Sequence, residues 1–265
     1  MKLGLANKNA VITGGSAGIG FAAAKALAEE GANILIIGRD KSRLQQAESE
    51  LSSCAKDTSA AIHSISADLS EKESLDRAIH TVFSTFERID FLVNSAGSAP
   101  AGSFFEGKDE DFLQAWNLKL LGYIRMVRAV GRHMMSNRSG KIVNIIGAAG
   151  RTPNPAFLPG STTNAALVAF TKGISKELAP YNVSINAISP GVTATERAHK
   201  LAEQNAKIKG ITVEEQKENV LSAIPLGHMV EPNEIADMTL LLLSERMSSM
   251  TGTEIMIDGG QQPGI

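Results

Sequence analysis

Two short stretches have residue types that can do chemistry. The first is TGGSAGIG, Thr13 to Gly20, placed between an apolar run and a helix-like segment. Glycines at 14, 18 and 20 let a backbone turn tightly and approach a pyrophosphate. The N-terminus of the helix that follows supplies free N–H groups and a favourable dipole. A glycine-rich turn alone is equally a structural turn, and the strand–turn–helix context is what favours a dinucleotide. The second stretch is LPGSTTNAALVAFTKGISKEL, Leu158 to Leu178. Its second half has a helix period with an apolar face, whereas its first half is small and polar. Ser161 and Thr162 offer hydroxyls to orient a substrate or a water, or else to cap a helix that starts near Gly160. Without an activating base, neither is a good proton donor.

Other reactive residue types are scattered. His63 and His80 lie in the first third of the chain, His133 lies at the far end of a long helical segment, and His228 lies in PLGHMVEP. His199 lies in a charged segment where it would close over a substrate or simply face solvent. No set of His, Cys and carboxylates has metal-ligand spacing, so no metal is expected.

The elements that must position these residues alternate. Apolar runs at NAVITG, NILIIG, AIHSISAD, IDFLVNSAG, GKIVNIIG, VSINAISPG and TGTEIMIDGG read as strands. Segments of helical period separate them, including Ile19 to Gly31, Lys41 to about Cys54, and a long helix from about Asp109 to Ser136. Strands that are apolar on both faces and joined by helices predict an α/β fold. Right-handed crossovers make it a doubly wound, mainly parallel seven-stranded sheet with helices on both faces, Rossmann-like. With no linker-like composition shift and no repeat, residues 1–265 read as a single dinucleotide-binding domain. A charged, helix-prone insertion at about 193–232 reads as a flap beside the ligand crevice.

The net charge of -2, with both signs interspersed, argues against a nucleic-acid partner. No run approaches the ~18 apolar residues that a membrane span needs, so no membrane association is expected. One cysteine, Cys54, excludes an internal disulfide and suits a reducing compartment, so a cytoplasmic location is expected.

The spacing T-G-x-x-x-G-I-G resembles that of the short-chain dehydrogenase/reductase family. Further motifs follow in the family's order: ADL at Ala67 to Leu69, NSAG at Asn94 to Gly97, Asn117 in WNLKLLG, SPGVTAT at Ser189 to Thr195, and IDGG at Ile257 to Gly260. The resemblance covers essentially the whole chain. It implies that Gly14, Ser16, Gly18, Ile19 and Gly20 surround the phosphates, and that Asp68 and Leu69 border the adenine. It implies that Asn94, Ala96 and Gly97 line the crevice beneath the cofactor, and that Pro190, Gly191, Val192 and Thr193 meet its nicotinamide end.

Nucleotide choice is set after the second strand, where an NAD site offers a carboxylate to the ribose 2′-hydroxyl. Ile36, Ile37 and Gly38 have none, and Arg39 follows. A guanidinium suits a 2′-phosphate. NADP is therefore the expected cofactor, with NAD as the alternative. Asp40 either pairs with Arg39 or caps the next helix.

The family's usual chemistry uses a Ser, a Tyr and a Lys. In the register fixed by GKIVNIIGAAG and NAALVAFTKGISKEL, those positions are Gly147, Gly160 and Asn164. Asn164 lacks the lysine's charge, though its amide suits a ribose hydroxyl. Asn117 matches a family residue that positions a water in a proton relay. Lys119, two residues on, points elsewhere on a regular helix. Tyr123 lies in the long helix, and Tyr181 is roughly 30 Å along a helix from position 160, so neither replaces the missing phenol. If the backbone has adapted to Gly147 and Gly160, side chains there would meet steric resistance.

Two readings follow. The first is an oxidoreductase that moves hydride between a nicotinamide cofactor and a small carbonyl, alcohol or enone through a non-standard site. The weak catalytic candidates are then Asn117, Ser161, Thr162 and Asn164. The second is a non-catalytic nucleotide-binding sensor or supporting subunit. By resemblance the chain is expected to form a homo-tetramer through its two long helices, and the apolar face of Ala165, Val168, Ala169 and Ile174 suits either that assembly or packing on the sheet.

Overall fold

β1 (Asn9–Thr13) sends Ala10 and Ile12 into one apolar core and Val11 into another, the two-residue alternation of a strand buried on both faces. A computed structural model describes residues 2–55, 58 and 60–263. Among them, β2 (Asn33–Gly38), β3 (Ile62–Ser66), β4 (Phe91–Asn94), β5 (Gly140–Ile145), β6 (Val183–Pro190) and β7 (Glu254–Ile257) join β1 in one sheet. The order is β3-β2-β1-β4-β5-β6-β7 and every pairing is parallel, where the sequence predicted a mainly parallel sheet.

Helices cover both faces. α1 (Gly18–Glu29), α2 (Lys41–Cys54) and α9 (Pro232–Leu243) supply Leu27, Leu44 and Leu242 to the core beneath Ile12 and Ile36. On the other face, α3 (Lys72–Thr85), α5 (Gly122–Ser136) and α6 (Leu158–Leu178) bring Leu75, Val127 and Leu178 against Val11 and Leu35. No helix among the described residues is long and apolar enough to cross a membrane.

The structure differs from the sequence reading in two places and adds detail in a third. The long helix is interrupted: α4 (Asp109–Ala115) passes through a π-helical turn, Trp116–Leu121, before α5 begins. Next, α6 starts at Leu158 with Pro159 in its first turn, where a missing N–H costs nothing. Ser161 and Thr162 therefore lie inside the helix and do not cap it. Lastly, the segment after β6 is two helices, α7 (Glu196–Lys209) and α8 (Val213–Ser222), capped by the Thr195 and Thr212 hydroxyls. Backbone bonds between Val230 and both Val192 and Ala194 tie its two ends together at 3.0 and 2.9 Å.

Tyr123 is fully buried in α5 and donates its hydroxyl to the Ile145 carbonyl at 2.9 Å. Burial pushes this phenol up and keeps it protonated. Tyr123→Phe should destabilise the fold by about 1 kcal/mol, the net worth of a typical hydrogen bond. Urea denaturation checks this, and an unchanged midpoint would show that the bond adds nothing net.

Candidate functional site

Because the strands are parallel, the carboxyl ends of β1, β4, β5 and β6 share one edge. The chain winds outward from β1 in one direction and from β4 in the other, and ligands bind in the crevice at such a switch point. At its centre Gly14 has φ +69°, and a Cβ there would lie 2.8 Å from the Ala96 backbone. A Cβ on Gly20 would overlap the Gly14 carbonyl. Thr13 Oγ1 accepts the backbone N–H groups of Ser95 and Ala96 at 3.1 and 3.3 Å, binding the NSAG turn to β1.

Ala17 precedes α1 with no side-chain cap, and no acidic residue stands in the first turn. The free N–H groups there suit an anion. Ser16 and Ala17 open on a cleft of about 270 Å³ shared with Phe21, Arg43 and Glu196. Gly18 faces the flap, where a Cβ would meet Thr195 at 3.5 Å, and Ile19 packs into the α1 core. The cradle fits a dinucleotide pyrophosphate.

Arg39 follows β2 and is exposed, its guanidinium 3.8 Å from Asp68. Asp40 is the cap of α2 and accepts the Arg43 N–H at 3.0 Å, which leaves Arg39 to Asp68. Burial pushes the Asp68 carboxyl up, but hydrogen bonds from Ser70 and the Arg39 charge outweigh it and hold it below its ordinary value. Leu69 is buried in the second core. Asn94 is buried at the end of β4 and donates to Asn144 at 3.0 Å. Pro190 closes β6, and a Cβ on Gly191 would press on Asp258 at 2.8 Å. Thr193 is buried and pairs with Val230 at the flap base, next to Val192.

At the other end of the crevice, Gly147 and Asn164 face each other: a Cβ on Gly147 would lie 2.8 Å from Asn164 Nδ2. Between them and Gly97 runs a side chain that the sequence placed elsewhere. Lys119 does not point away. It leaves the π-helical turn and crosses the crevice, with its stem where a Cβ on Gly97 would be, at 2.8 Å. Its amine donates to the Ile146 carbonyl and, at 2.9 Å, to Asn164 Oδ1. The expectation failed because it assumed regular α-helical spacing, whereas π-turns shift the register and recur at functional sites. Burial, with the Arg197 charge adding to it, pushes the Lys119 amine down to about 7. Arg197 itself latches the flap to the crevice rim, donating to the Gly97 and Ala99 carbonyls at 2.8 and 3.4 Å.

Asn117 lies in the same turn and is half-buried, but the bonds to Ile146 and Asn164 are made by Lys119. Ser161 is buried and its hydroxyl accepts the Asn154 N–H at 3.3 Å. Thr162 donates to the Leu158 carbonyl at 2.9 Å and accepts from the Trp116 indole at 3.2 Å. Thr162 is thus engaged as donor and acceptor, and Ser161 as an acceptor. His199 is exposed on α7. No group of three or more His, Cys, Asp or Glu among the described residues could hold a metal ion.

A family model described as enoyl-(acyl carrier protein) reductase matches residues 14–262. A 3-oxoacyl-(acyl-carrier-protein) reductase of Aquifex aeolicus is 33% identical over 98% of this chain and 99% of its own. The chain belongs to the short-chain dehydrogenase/reductase family. Another relative, the NADPH-dependent reductase BacG of Bacillus subtilis, is 29% identical over 98% of this chain and all of its own. The solved structure of L-sorbose reductase from Gluconobacter frateurii, complexed with NADPH and L-sorbose, superposes with a TM-score of 0.93 at 29% identity and covers 100% of both chains.

In this short-chain dehydrogenase/reductase, position 160 has no room for a side chain. A Cβ there would overlap the ring of Phe157, one turn earlier. Gly160→Tyr should therefore destabilise the protein by about 1–3 kcal/mol, the usual penalty of overpacking. Phe157→Ala in the same chain should recover part of that loss. A double-mutant cycle in urea checks this, and additive effects would show that the two positions do not compete for space.

Proposed function

We propose that this chain is an NADP(H)-dependent oxidoreductase acting on a small carbonyl, alcohol or enone through a reaction end built without the family's usual Ser, Tyr and Lys. The observation that carries this reading is the intact nucleotide crevice: an uncapped α1 N-terminus beside Gly14 and Gly20, with Arg39 at the end of β2 and no carboxylate before it. The cofactor, when bound, supplies hydride at its nicotinamide ring. The chain's part is to hold and orient it. Gly14, Ser16, Gly18, Ile19 and Gly20 take the pyrophosphate, and Asp68 and Leu69 flank the adenine. Asn94, Ala96 and Gly97 form the floor, and Pro190 to Thr193 meet the nicotinamide. The Asn164 amide faces the ribose.

Kinship alone does not choose the nucleotide. The relatives include the NADPH-dependent BacG and an NAD-dependent glycerol dehydrogenase of Listeria innocua, 30% identical over 97% of this chain. Arg39 supports NADP, because its ion pair with Asp68 is long and exposed and such pairs contribute little, which leaves the guanidinium able to turn to a 2′-phosphate. Of the α6 face, Val168 and Ile174 pack against the cores, whereas Ala165 and Ala169 are exposed, and these two alanines are what supports assembly as a homo-tetramer. The single cysteine suits the cytoplasm.

Gly147, Gly160 and Asn164 favour a second reading, a nucleotide sensor or supporting subunit without catalysis. Single-turnover oxidation of NADPH against a panel of aldehydes, ketones and enones separates the two. Consumption with at least one class is expected, and tight NADPH binding with no consumption anywhere would establish the sensor. Calorimetry should find NADPH bound more tightly than NADH, with Arg39→Ala removing most of the difference. Equal affinities in the wild type would overturn the assignment to NADP.

A further inference from the structure

We propose that Lys119 is the proton donor and acceptor of this site, delivering a proton to the substrate oxygen during reduction and removing it during oxidation. The proposal rests on the oxidoreductase reading above and names the residue that completes it.

The hydrogen-bond inventory of the amine carries the argument. An ammonium has three N–H donors and no acceptor. Two of those on Lys119 are taken, by the Ile146 carbonyl and by Asn164 Oδ1. The third remains for a ligand. A neutral amine would keep the same two bonds and aim its lone pair where the third proton had been. The two carbonyl oxygens therefore orient the nitrogen in both protonation states, and the stem is fixed where it crosses Gly97. Residues 97, 146 and 164 are those where the NSAG turn, the end of β5 and the first turns of α6 converge, so these contacts hold the amine at the end of the crevice between β4, β5 and α6.

Other proton carriers nearby are engaged or face away. The Tyr123 hydroxyl donates to Ile145 and is buried, and its ring lies 5.9 Å from the Lys119 nitrogen. The Thr162 hydroxyl donates its proton to the Leu158 carbonyl, and the buried Ser161 hydroxyl accepts the Asn154 N–H and has no base beside it to activate it. Arg197, the other charged group acting on Lys119, holds its proton at all working pH values. Efficient acid–base groups have a pKa near the operating pH, and burial with the Arg197 charge brings this amine to about 7.

The step balances as follows. Hydride adds to the carbonyl carbon, and the C–O π pair moves to oxygen. One Lys119 N–H bond breaks, its electron pair stays on nitrogen, and the proton forms the O–H bond of the alcohol. Water then reprotonates the neutral amine. For an enone reduced at its C–C double bond, the same proton goes to the enolate.

Three measurements test the role. Reduction needs the ammonium, so its kcat/KM should be level below about pH 7 and fall tenfold per unit above it, while alcohol oxidation, which needs the neutral amine, should rise tenfold per unit up to about pH 7 and be level above it. Lys119→Arg keeps the charge and hydrogen bonds but does not release its proton, and Lys119→Met keeps only the stem. Both should lower kcat by about 10²- to 10⁴-fold, the typical worth of a positioned proton donor, while binding NADPH within a few-fold of wild type. In the cofactor-free protein, NMR of isotopically labelled lysines should show one side chain titrating near 7, with that signal absent from Lys119→Arg.

An amine titrating near its ordinary 10.5, or Lys119→Arg with wild-type kcat and pH profile, would overturn the proposal and leave the oxidoreductase reading standing. A wild type that reduces nothing would overturn both, even with the amine titrating near 7.

Discussion

Gly14, Gly20 and Ala96 approach so closely that no side chain fits between them, and the geometry of the crevice depends on that contact. A Cβ on Gly14 would reach the Ala96 backbone at 2.8 Å, and one on Gly20 would overlap the Gly14 carbonyl. Three elements are thereby joined at one point: the end of β1, the start of α1 and the turn after β4. Thr13 holds the same point from the strand side by accepting two backbone N–H groups of that turn. The parallel order of the sheet then brings the ends of β5 and β6 alongside. The parallel order thus sets the shared edge, and the junction sets the shape of the crevice along it.

A buried ammonium imposes a second constraint. Taking a charge out of water is costly unless oxygen atoms replace the water. Lys119 meets two such oxygens, but it also lies in the field of Arg197, a charge of the same sign. Arg197 stands on α7 and latches it to the rim at Gly97 and Ala99. The flap therefore carries part of the field that the lysine feels. That fixed positive charge at the rim favours the neutral amine.

The fold was legible in the sequence and the reaction end was only half so. Runs such as NILIIG, apolar on both faces and followed by helical segments, leave little besides a parallel sheet. Helix α2 fell within the predicted Lys41 to Cys54 because Asp40 caps it and few competing signals surround it. The glycine turn was legible because its spacing has a mechanical reason. Lys119 was not, since a π-turn has no strong sequence signal and the helical wheel gave the wrong side. Trp116, which bonds to Thr162 across the same gap, was also missed. Of the two alternatives for Ser161 and Thr162, capping fails because Pro159 in the first turn sets the start of α6 at Leu158. Arg197 was passed over as one charge among many on the flap.

A site that has merely lost its function leaves space where side chains used to be, and the geometry at residues 147 and 160 is of another kind. The volume a side chain at Gly160 would occupy is filled by the Phe157 ring. Gly147 has φ +139°, a conformation that L side chains rarely adopt, and the room beside it is taken by the Asn164 amide. That amide is in turn bonded to Lys119. The Phe157 ring and the Asn164 amide thus fill the space beside the two glycines. A serine at 147 would collide with Asn164, and displacing Asn164 would remove one of the two oxygens that hold the lysine. The glycines are therefore part of the present arrangement, and the positive charge that meets Asn164 comes from the opposite wall, on Lys119.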